Sequence, residues 1–223
     1  WNFKIINNEK VEIYNGINND GDICNIKNIL SVINNLGKNS IDLVTGDGGF
    51  DYSSNYNKQE LNSLPLIYSE IFLALNVQKK GGSFICKFFD LFIDKTIQLI
   101  YLLYKCYDKI SIHKPAISRL SNSEKYIVCI GYKGYDKDIV NLLIHNINDI
   151  SNFNIDIDSN FYEKIIEINK KYIDIQINQI NKGINLINKD KNIINYPSKY
   201  QIKKALEWCE KYKIPINNNC YYY

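Results

Sequence analysis

Three ionisable residues beside strand-like apolar runs have the types and spacing for acid–base chemistry. Asp47 directly follows the run 41–46, and Lys87 interrupts the run 83–89. Glu124 opens a third such run. A charge inside a buried strand costs several kcal/mol unless it is paired, so a lysine there needs a carboxylate partner or a chemical role. The arrangement predicts a proton-transfer site, although a buried ion-pair network without chemistry would give the same pattern.

The elements that must position these residues alternate along the chain. Apolar periodicity predicts strands at 41–46, 83–89, 109–113 and 124–132, with helices at about 26–36, 57–80 and 94–107. Gly37 and the segment 79–82 are the predicted helix ends, and Pro65 predicts a kink or a split. Strands alternating with helices indicate an α/β fold with a mostly parallel sheet. The last two strands, joined without a helix, predict an antiparallel hairpin at its edge.

The two ends of the chain have a different character. Short strands are predicted at 3–6 and 11–14, before the turn cluster at 18–22. From about residue 135 the pattern is one of helices, at about 137–148, 159–187 and 198–212. We therefore expect a partial α/β sheet domain at 1–134, a helical appendage at 135–216 and a loose tail at 217–223.

Composition excludes several classes of protein. A formal net charge of +3 gives no strong basic footprint, so any contact with RNA would be local. The six cysteines form no Cys-x-x-Cys pair and only two histidines are present, which predicts reduced thiols and no metal site. No apolar run is long enough for a membrane span, and the chain does not begin with a secretory signal. We expect an intracellular protein of the cytoplasm or the nucleus.

Three separated motifs carry a family likeness: DLVTGDGGF at 42–50, GGSFICKFFDLF at 81–92, and KPAISR followed by NSEKY within 114–126. In this order and spacing they resemble the FtsJ-like ribose 2′-O-methyltransferases. Within that group they are most similar to the mRNA cap enzymes of eukaryotes and large DNA viruses that carry the adrift-type domain. The likeness covers residues 1 to about 134 and continues weakly through Trp208 and 214–215.

The resemblance implies a Rossmann-like methyltransferase sheet and a Lys-Asp-Lys-Glu tetrad. That tetrad transfers a methyl group from S-adenosyl-L-methionine to a ribose 2′-hydroxyl of capped RNA. Lys87 would be the base, with Asp47 and Glu124 orienting it. Elementary chemistry agrees, because a hydroxyl becomes a good nucleophile only as its proton leaves, and only a neutral lysine can accept that proton.

The resemblance also assigns binding residues. Asp22, Ile23 and Asp47 match positions that contact the cofactor, although Asp22 lies in a cluster that could be a plain turn. The positions matching contacts to capped RNA are Asn57, Lys58, Gln59 and Asn122. Asn57 could instead cap the helix that it precedes. Arg119 could bind phosphate, or it could anchor backbone carbonyls of its own loop. The glycines after Asp47 are expected to let the backbone turn sharply towards a ligand.

The chain departs from the family pattern in its first half. The first tetrad lysine, the first strand and the Gly-rich loop that cradles the methionine end of the cofactor have no counterpart here. We expect that strand to come from upstream sequence or from another chain, such as a capping protein, unless the product is inactive. Two alternative functions remain: methylation of ribosomal or transfer RNA, and a non-catalytic module that binds RNA or protein.

Overall fold

The computed structural model describes residues 8–189, 197–217 and 219, and all structural statements refer to these residues. The helices are α1 (Ile26–Leu36), α2 (Gln59–Val77), α3 (Asp94–Cys106), α4 (Lys137–Asn146), α5 (Ser159–Lys189) and α6 (Lys199–Tyr212). The strands are β1 (Ile41–Gly46), β2 (Gln78–Phe88), β3 (Tyr107–His113) and β4 (Lys125–Tyr132). Short 3-10 turns occupy Tyr56–Lys58 and Ile150–Asn152.

The four strands form one sheet in the order β1-β2-β4-β3. β1 and β2 are parallel, whereas β4 is antiparallel to both of its neighbours. β1, β2 and β3 therefore run in one direction and β4 in the other, so the predicted α/β sheet with an antiparallel edge hairpin is confirmed. Along the outer edge of β1, no strand among the described residues pairs with it.

Helix α2 provides much of the core that supports the sheet. Tyr68 is fully buried and donates from its hydroxyl to the Leu143 carbonyl at 2.8 Å, which fastens α4 to α2. The helix runs unbroken through Pro65, so the predicted split is absent. Proline lacks the N–H that would donate to the Leu61 carbonyl, and Leu61 is exposed, so water can satisfy that carbonyl.

Two local predictions are wrong. The segment 79–82 was expected to end a helix, but α2 ends at Val77 and these residues lie in the first half of β2, which begins at Gln78. Its pattern of two lysines and two glycines is polar because it lies at the exposed start of the strand. The predicted strand at 11–14 does not form; its apolar side chains are exposed and no described strand pairs with it. The predicted strand at 3–6 lies outside the described residues.

The chain divides into two compact units, Trp1–Gln176 and Ile177–Tyr223. In the first unit, Phe161 of α5 contacts the rings of Tyr101 and Tyr104 at centroid distances of 4.9 and 5.0 Å, so this part of the α5 stripe packs against α3. In the second, a capping box between Ser198 and Gln201 starts α6. The predicted domain boundary at 134/135 stays a prediction. No helix within the described ranges is long and apolar enough to cross a bilayer.

Candidate active site

The parallel pairing of β1 with β2 brings Asp47 beside Lys87. Gly46 is the ladder partner of Cys86, so the next residue along each strand reaches the same edge of the sheet. Lys87 Nζ lies 3.0 Å from Asp47 Oδ1 and donates to the Asp47 carbonyl at 3.2 Å. The lysine side chain is 14% exposed and the carboxylate is 64% exposed. A mostly buried lysine side chain is thus paired with a carboxylate that faces solvent.

Tyr126 occupies the position in which Glu124 was expected. It is the ladder partner of Lys87 on β4, and its hydroxyl donates to Asp47 Oδ1 at 3.2 Å. Burial, followed by the charges of Glu124 and Asp47, raises the pKa of Tyr126 to about 12, so the phenol keeps its proton and acts as the donor. Sequence reasoning assigned Tyr126 only to a strand.

Glu124 does not hold Lys87 directly. Among the described carboxylates, only Asp47 lies within salt-bridge distance of the lysine. Glu124 lies two residues before Tyr126, just outside the start of β4. Its Oε1 instead accepts from the Ser118 hydroxyl at 3.4 Å. The Tyr126 hydroxyl, which also interacts with Glu124, separates the two carboxylates.

Glu70 on α2 is a site residue that the sequence pattern did not reveal. It is 6% exposed, and its Oε1 accepts from the Gly48 N–H at 2.9 Å. A Cβ at Gly46 or Gly48 would lie 2.8 or 2.9 Å from the Glu70 side chain. Neither glycine has a positive φ. Gly48 and Gly49 were expected to permit a sharp turn, whereas Gly46 and Gly48 are needed because a buried carboxylate fills the space that a side chain would take.

The cofactor candidates Asp22 and Ile23 lie in a loop organised around Asn28. Asn28 is 2% exposed; its amide donates to Asp20 Oδ1 at 2.6 Å and to the Asp22 carbonyl at 2.8 Å. Asp22 Oδ1 accepts from the Cys24 N–H at 2.8 Å, and Ile23 packs on the core. Cys24 interacts with Ser69, and the charge of Glu70 helps to raise the pKa of its thiol. The loop therefore lies on the Glu70 side of the site.

Of the three RNA candidates at 57–59, two are exposed, and the third, at the first position of α2, contacts the segment before β4. Asn57 and Lys58 lie in the exposed 3-10 turn, which is capped by Asn55 through a 3.0 Å bond to the Asn57 N–H. The side chain of Asn57 is therefore not the cap. Gln59 Oε1 accepts from the Ser123 hydroxyl at 3.5 Å, which connects the start of α2 to the segment before β4.

Residues 115–123, here called the Arg119 loop, join β3 to β4. Lys114 Nζ donates to the carbonyl and to Oδ1 of Asn122 and to the Glu124 carbonyl, each at 2.8 Å. Asn122 thus has its side-chain oxygen engaged and keeps its amide N–H groups as donors. Arg119 is exposed at the tip of the loop. The structure brings Asn122 to the base of the loop, while Arg119 projects from it.

The base of this loop lies next to a charge cluster of Asp90, Lys114 and Lys125, in which Lys125 is buried and the other two are partly buried. Burial raises the pKa of Asp90, and the charges of Lys125 and Lys114 oppose that rise. Burial lowers the pKa of Lys125 to about 8, although Asp90 raises it. Lys125 Nζ also donates to the Ser123 carbonyl at 2.8 Å. Both lysines interact with Asp90, and their hydrogen bonds to backbone carbonyls fix the end of the loop that leads into β4.

Of the described cysteines, Cys24 and Cys86 interact with Glu70. Cys24, Cys86, Cys106, Cys129 and Cys209 are free thiols, and Cys220 lies outside the described residues. Within the described ranges, no three His, Cys, Asp or Glu side chains are placed to share a metal ion. Cys86 donates to Glu70 Oε2 at 3.3 Å, so its thiol is part of the hydrogen bonding under the site.

The sequence of this chain is similar to those of several known proteins. The mouse (Mus musculus) protein named cap-specific mRNA (nucleoside-2′-O-)-methyltransferase 1 is 34% identical over 175 residues, which are 70% of this chain and 21% of the relative. Its counterpart in Bos taurus is 42% identical over 122 residues, 53% of this chain and 15% of the relative. The 1A protein of Caenorhabditis briggsae is 33% identical over 180 residues, 71% of this chain and 21% of the relative. The chain spans about a fifth of the length of these relatives.

A solved structure described as a ribosomal RNA methyltransferase of Plasmodium falciparum gives a TM-score of 0.40 at 23% identity. It covers 56% of this chain and 63% of its own, which is too weak a likeness to carry an argument. The sequence pattern of the FtsJ-like methyltransferases matches residues 2–132, more than half of the chain. The protein therefore belongs to the FtsJ-like methyltransferase family.

Proposed function

We propose that this chain carries the catalytic base of a cap-specific mRNA ribose 2′-O-methyltransferase. The observation that carries the proposal is the nearly buried Lys87 amine, held 3.0 Å from Asp47 at the open edge of the sheet. The names of the relatives supply the substrate class, which is capped mRNA. This chain alone offers only candidate residues for contacts with RNA.

Lys87 in its neutral form takes the proton of the ribose 2′-hydroxyl as the oxygen attacks. The methyl group of the new O–CH₃ bond would come from the cofactor's sulfonium, which would leave as a neutral thioether, while the proton remains on the Lys87 amine. Asp47, through its carboxylate and its carbonyl, orients the amine and stabilises the ammonium that results. Tyr126 keeps Asp47 in place, and Glu124 acts through Tyr126 and the Arg119 loop.

S-adenosyl-L-methionine, when bound, supplies an electrophilic methyl group beside a positive charge. The acidic groups at this edge suit such a cation and the hydroxyls of an adenosine. Asp22 has an exposed carboxylate on the Glu70 side of the site, and Asp47 faces solvent. Asp22, Ile23 and Asp47 are therefore the residues proposed to hold the cofactor. A further strand, from another segment or a capping protein, would complete the sheet at the outer edge of β1.

The RNA is proposed to lie between the start of α2 and the Arg119 loop, which the contact from Ser123 to Gln59 holds together. Asn57, Lys58 and Gln59 offer amide and ammonium donors on one side. Asn122 offers its amide on the other side, and the exposed Arg119 offers a planar fork for phosphate. Binding energy from these groups fixes the 2′-hydroxyl against Lys87.

Methyl transfer from labelled S-adenosyl-L-methionine to capped RNA tests the proposal, with the protein that contains this chain. Lys87→Ala should lower the rate by about 10²–10⁴-fold, since it removes the general base. The affinity for capped RNA should change little. Lys109→Ala removes an exposed lysine of β3 and serves as the matched control.

Residual turnover near wild type in Lys87→Ala would reject Lys87 as the base. Inhibition by a cap analogue distinguishes capped mRNA from ribosomal or transfer RNA as the target. Equal rates on capped and uncapped RNA would reject the cap assignment while leaving ribose methylation in place.

A further inference from the structure

Glu70 is a buried carboxylate to which the proposed reaction gives no role. It projects from α2 beneath the turn that carries Asp47, and it is 6% exposed. Carboxylates this deeply buried are rare unless they are paired or hydrogen-bonded. Its bonds to the Gly48 N–H and the Cys86 thiol therefore need an explanation.

One peptide unit joins Glu70 to Lys87. The carbonyl of Asp47 accepts from Lys87 Nζ at 3.2 Å, and the N–H of Gly48 in the same peptide donates to Glu70 Oε1 at 2.9 Å. A planar peptide fixed at both its C=O and its N–H cannot rotate without losing one of the two bonds. The charge on Glu70 also polarises this peptide, which makes its carbonyl a better acceptor for an ammonium.

The surroundings hold Glu70 in a single orientation. Cys86 is completely buried, and burial, together with the charge of Glu70, raises the pKa of its thiol, so the S–H donates to Oε2 at 3.3 Å. Gly46 and Gly48 leave room for the carboxylate where any side chain would collide with it. Three positions of the chain are thus adapted to accommodate this one group.

We propose that Glu70 is a positioning residue for Lys87: through the Asp47–Gly48 peptide it holds the amine in place and sets the pH above which the amine is free to accept a proton. The inference rests on the proposed function, because it assigns Lys87 the role of base. Glu70 itself touches neither substrate nor cofactor.

Several other groups face Lys87 or its partners. Asp47 follows β1 and pairs with the amine directly, while Cys86 is its neighbour on β2. From β4, Tyr126 acts through Asp47, with Glu124 beyond it. Burial raises the pKa of Glu70, whereas the Gly48 N–H, the Cys86 thiol and Lys87 lower it. Of the three carboxylates among these groups, Asp47 contacts the amine directly, Glu70 is linked to it through the Asp47–Gly48 peptide, and Glu124 is linked to it through Tyr126 and Asp47.

Two substitutions separate shape from charge. Glu70→Gln keeps an oxygen to accept from Gly48 but removes the charge, so the amine should lose its proton more readily. The midpoint of the pH–rate profile for methyl transfer should move down by about one pH unit, with KM for RNA unchanged. Glu70→Ala also releases the peptide, and kcat should fall about tenfold or more.

Glu60→Gln is the matched control. Glu60 is a second buried carboxylate of α2, 7% exposed, which accepts from the N–H groups of Phe92 and Ile93 rather than from the Asp47 turn. Its replacement should alter stability without moving the pH midpoint. A merely structural role for Glu70 predicts the same behaviour for both glutamine variants.

A second readout does not depend on activity. The rate at which an acylating reagent modifies Lys87, followed by mass spectrometry across pH, reports the free amine directly. Glu70→Gln should shift this curve to lower pH by the same amount, and Glu60→Gln should not. An unshifted labelling curve in Glu70→Gln would overturn the inference. If the wild-type protein transfers no methyl group, the proposed function fails, and the labelling curve still decides whether Glu70 controls Lys87.

Discussion

Two segments border the Lys87 site, and they are anchored differently. The Asp47 turn, residues 47–50, is held from outside by Glu70 of α2 and by Lys87 of β2. The Arg119 loop is held mainly at its base, where Lys114 and Lys125 bind backbone carbonyls, and nearer its tip the Ser118 hydroxyl makes a longer contact of 3.4 Å to Glu124. The first arrangement fixes the backbone at the reacting group itself. The second leaves the tip of the loop, with Arg119, without a buried partner.

The difference matches the two tasks proposed for these segments. A group that orients a base must stay within a fraction of an ångström of its place, so it is anchored by buried partners. A loop that receives RNA must adapt to its ligand. Its tip is therefore exposed, and the lysine hydrogen bonds fix only its base. Measurements of stability and of local opening in each segment test this difference in anchoring.

The largest effect is expected at the base of the Arg119 loop. Burial lowers the pKa of Lys125 to about 8 in the folded protein, from 10.5 in a free lysine. At Lys125 the folded state therefore binds fewer protons between these values, so the contribution of this residue to stability should rise with pH from about 8 to 10.5, whereas the buried thiols, whose pKa burial raises, contribute a fall. The shift in the pKa of Lys125 corresponds to about 3 kcal/mol of unfolding free energy. The difference between wild type and Lys125→Met in urea unfolding across this range measures it; the same pH dependence in both would contradict the assignment.

The next effect concerns the Asp47 turn. In Gly48→Ala the new Cβ would lie 2.9 Å from both Glu70 Oε1 and Leu66, so overpacking should cost about 2 kcal/mol of unfolding free energy. Gly49→Ala is the control, because its Cβ meets Lys87 Nζ at an ordinary 3.5 Å and should change stability by less than about 0.5 kcal/mol. Equal stabilities in thermal unfolding would show that the turn is not tightly held.

The smallest effect is a local opening of the Arg119 loop. Arg119 is the only arginine of the chain, so an arginine-specific protease cuts at this loop alone. Lys114→Met removes three hydrogen bonds, and the open form should become about tenfold more populated, with cleavage faster in proportion. Lys109→Met, in an exposed part of β3, should leave the cleavage rate unchanged. Equal cleavage rates in the two variants would show that Lys114 does not hold the loop closed.

Much of the sheet and its active edge could be predicted from the sequence. The apolar runs before Asp47 and around Lys87 are bounded by glycines, and parallel pairing then forces the two residues together. The start of β2 could not be predicted, because Lys79 and Lys80 face solvent and lack the alternation that marks a strand. Periodicity detects burial, so it misses strand residues that are not buried.

The supporting residues were missed for a related reason. A glutamate within a helix is normally a solvated residue, so Glu70 gave no signal in the sequence; only the crowding at Gly46 and Gly48 reveals it. The expected contact between Glu124 and Lys87 depends on register, which places Tyr126 opposite the lysine instead. Motif spacing does not determine register to two residues.

The Asp47–Gly48 peptide has a practical consequence. An amide proton shared with a carboxylate resonates far downfield in NMR spectra and exchanges slowly with solvent when it is buried. The Gly48 resonance would therefore report on the Lys87 site in the absence of RNA and cofactor. A single peak in a ¹⁵N spectrum could follow the assembly of the catalytic edge as other segments, ligands or partner chains are added.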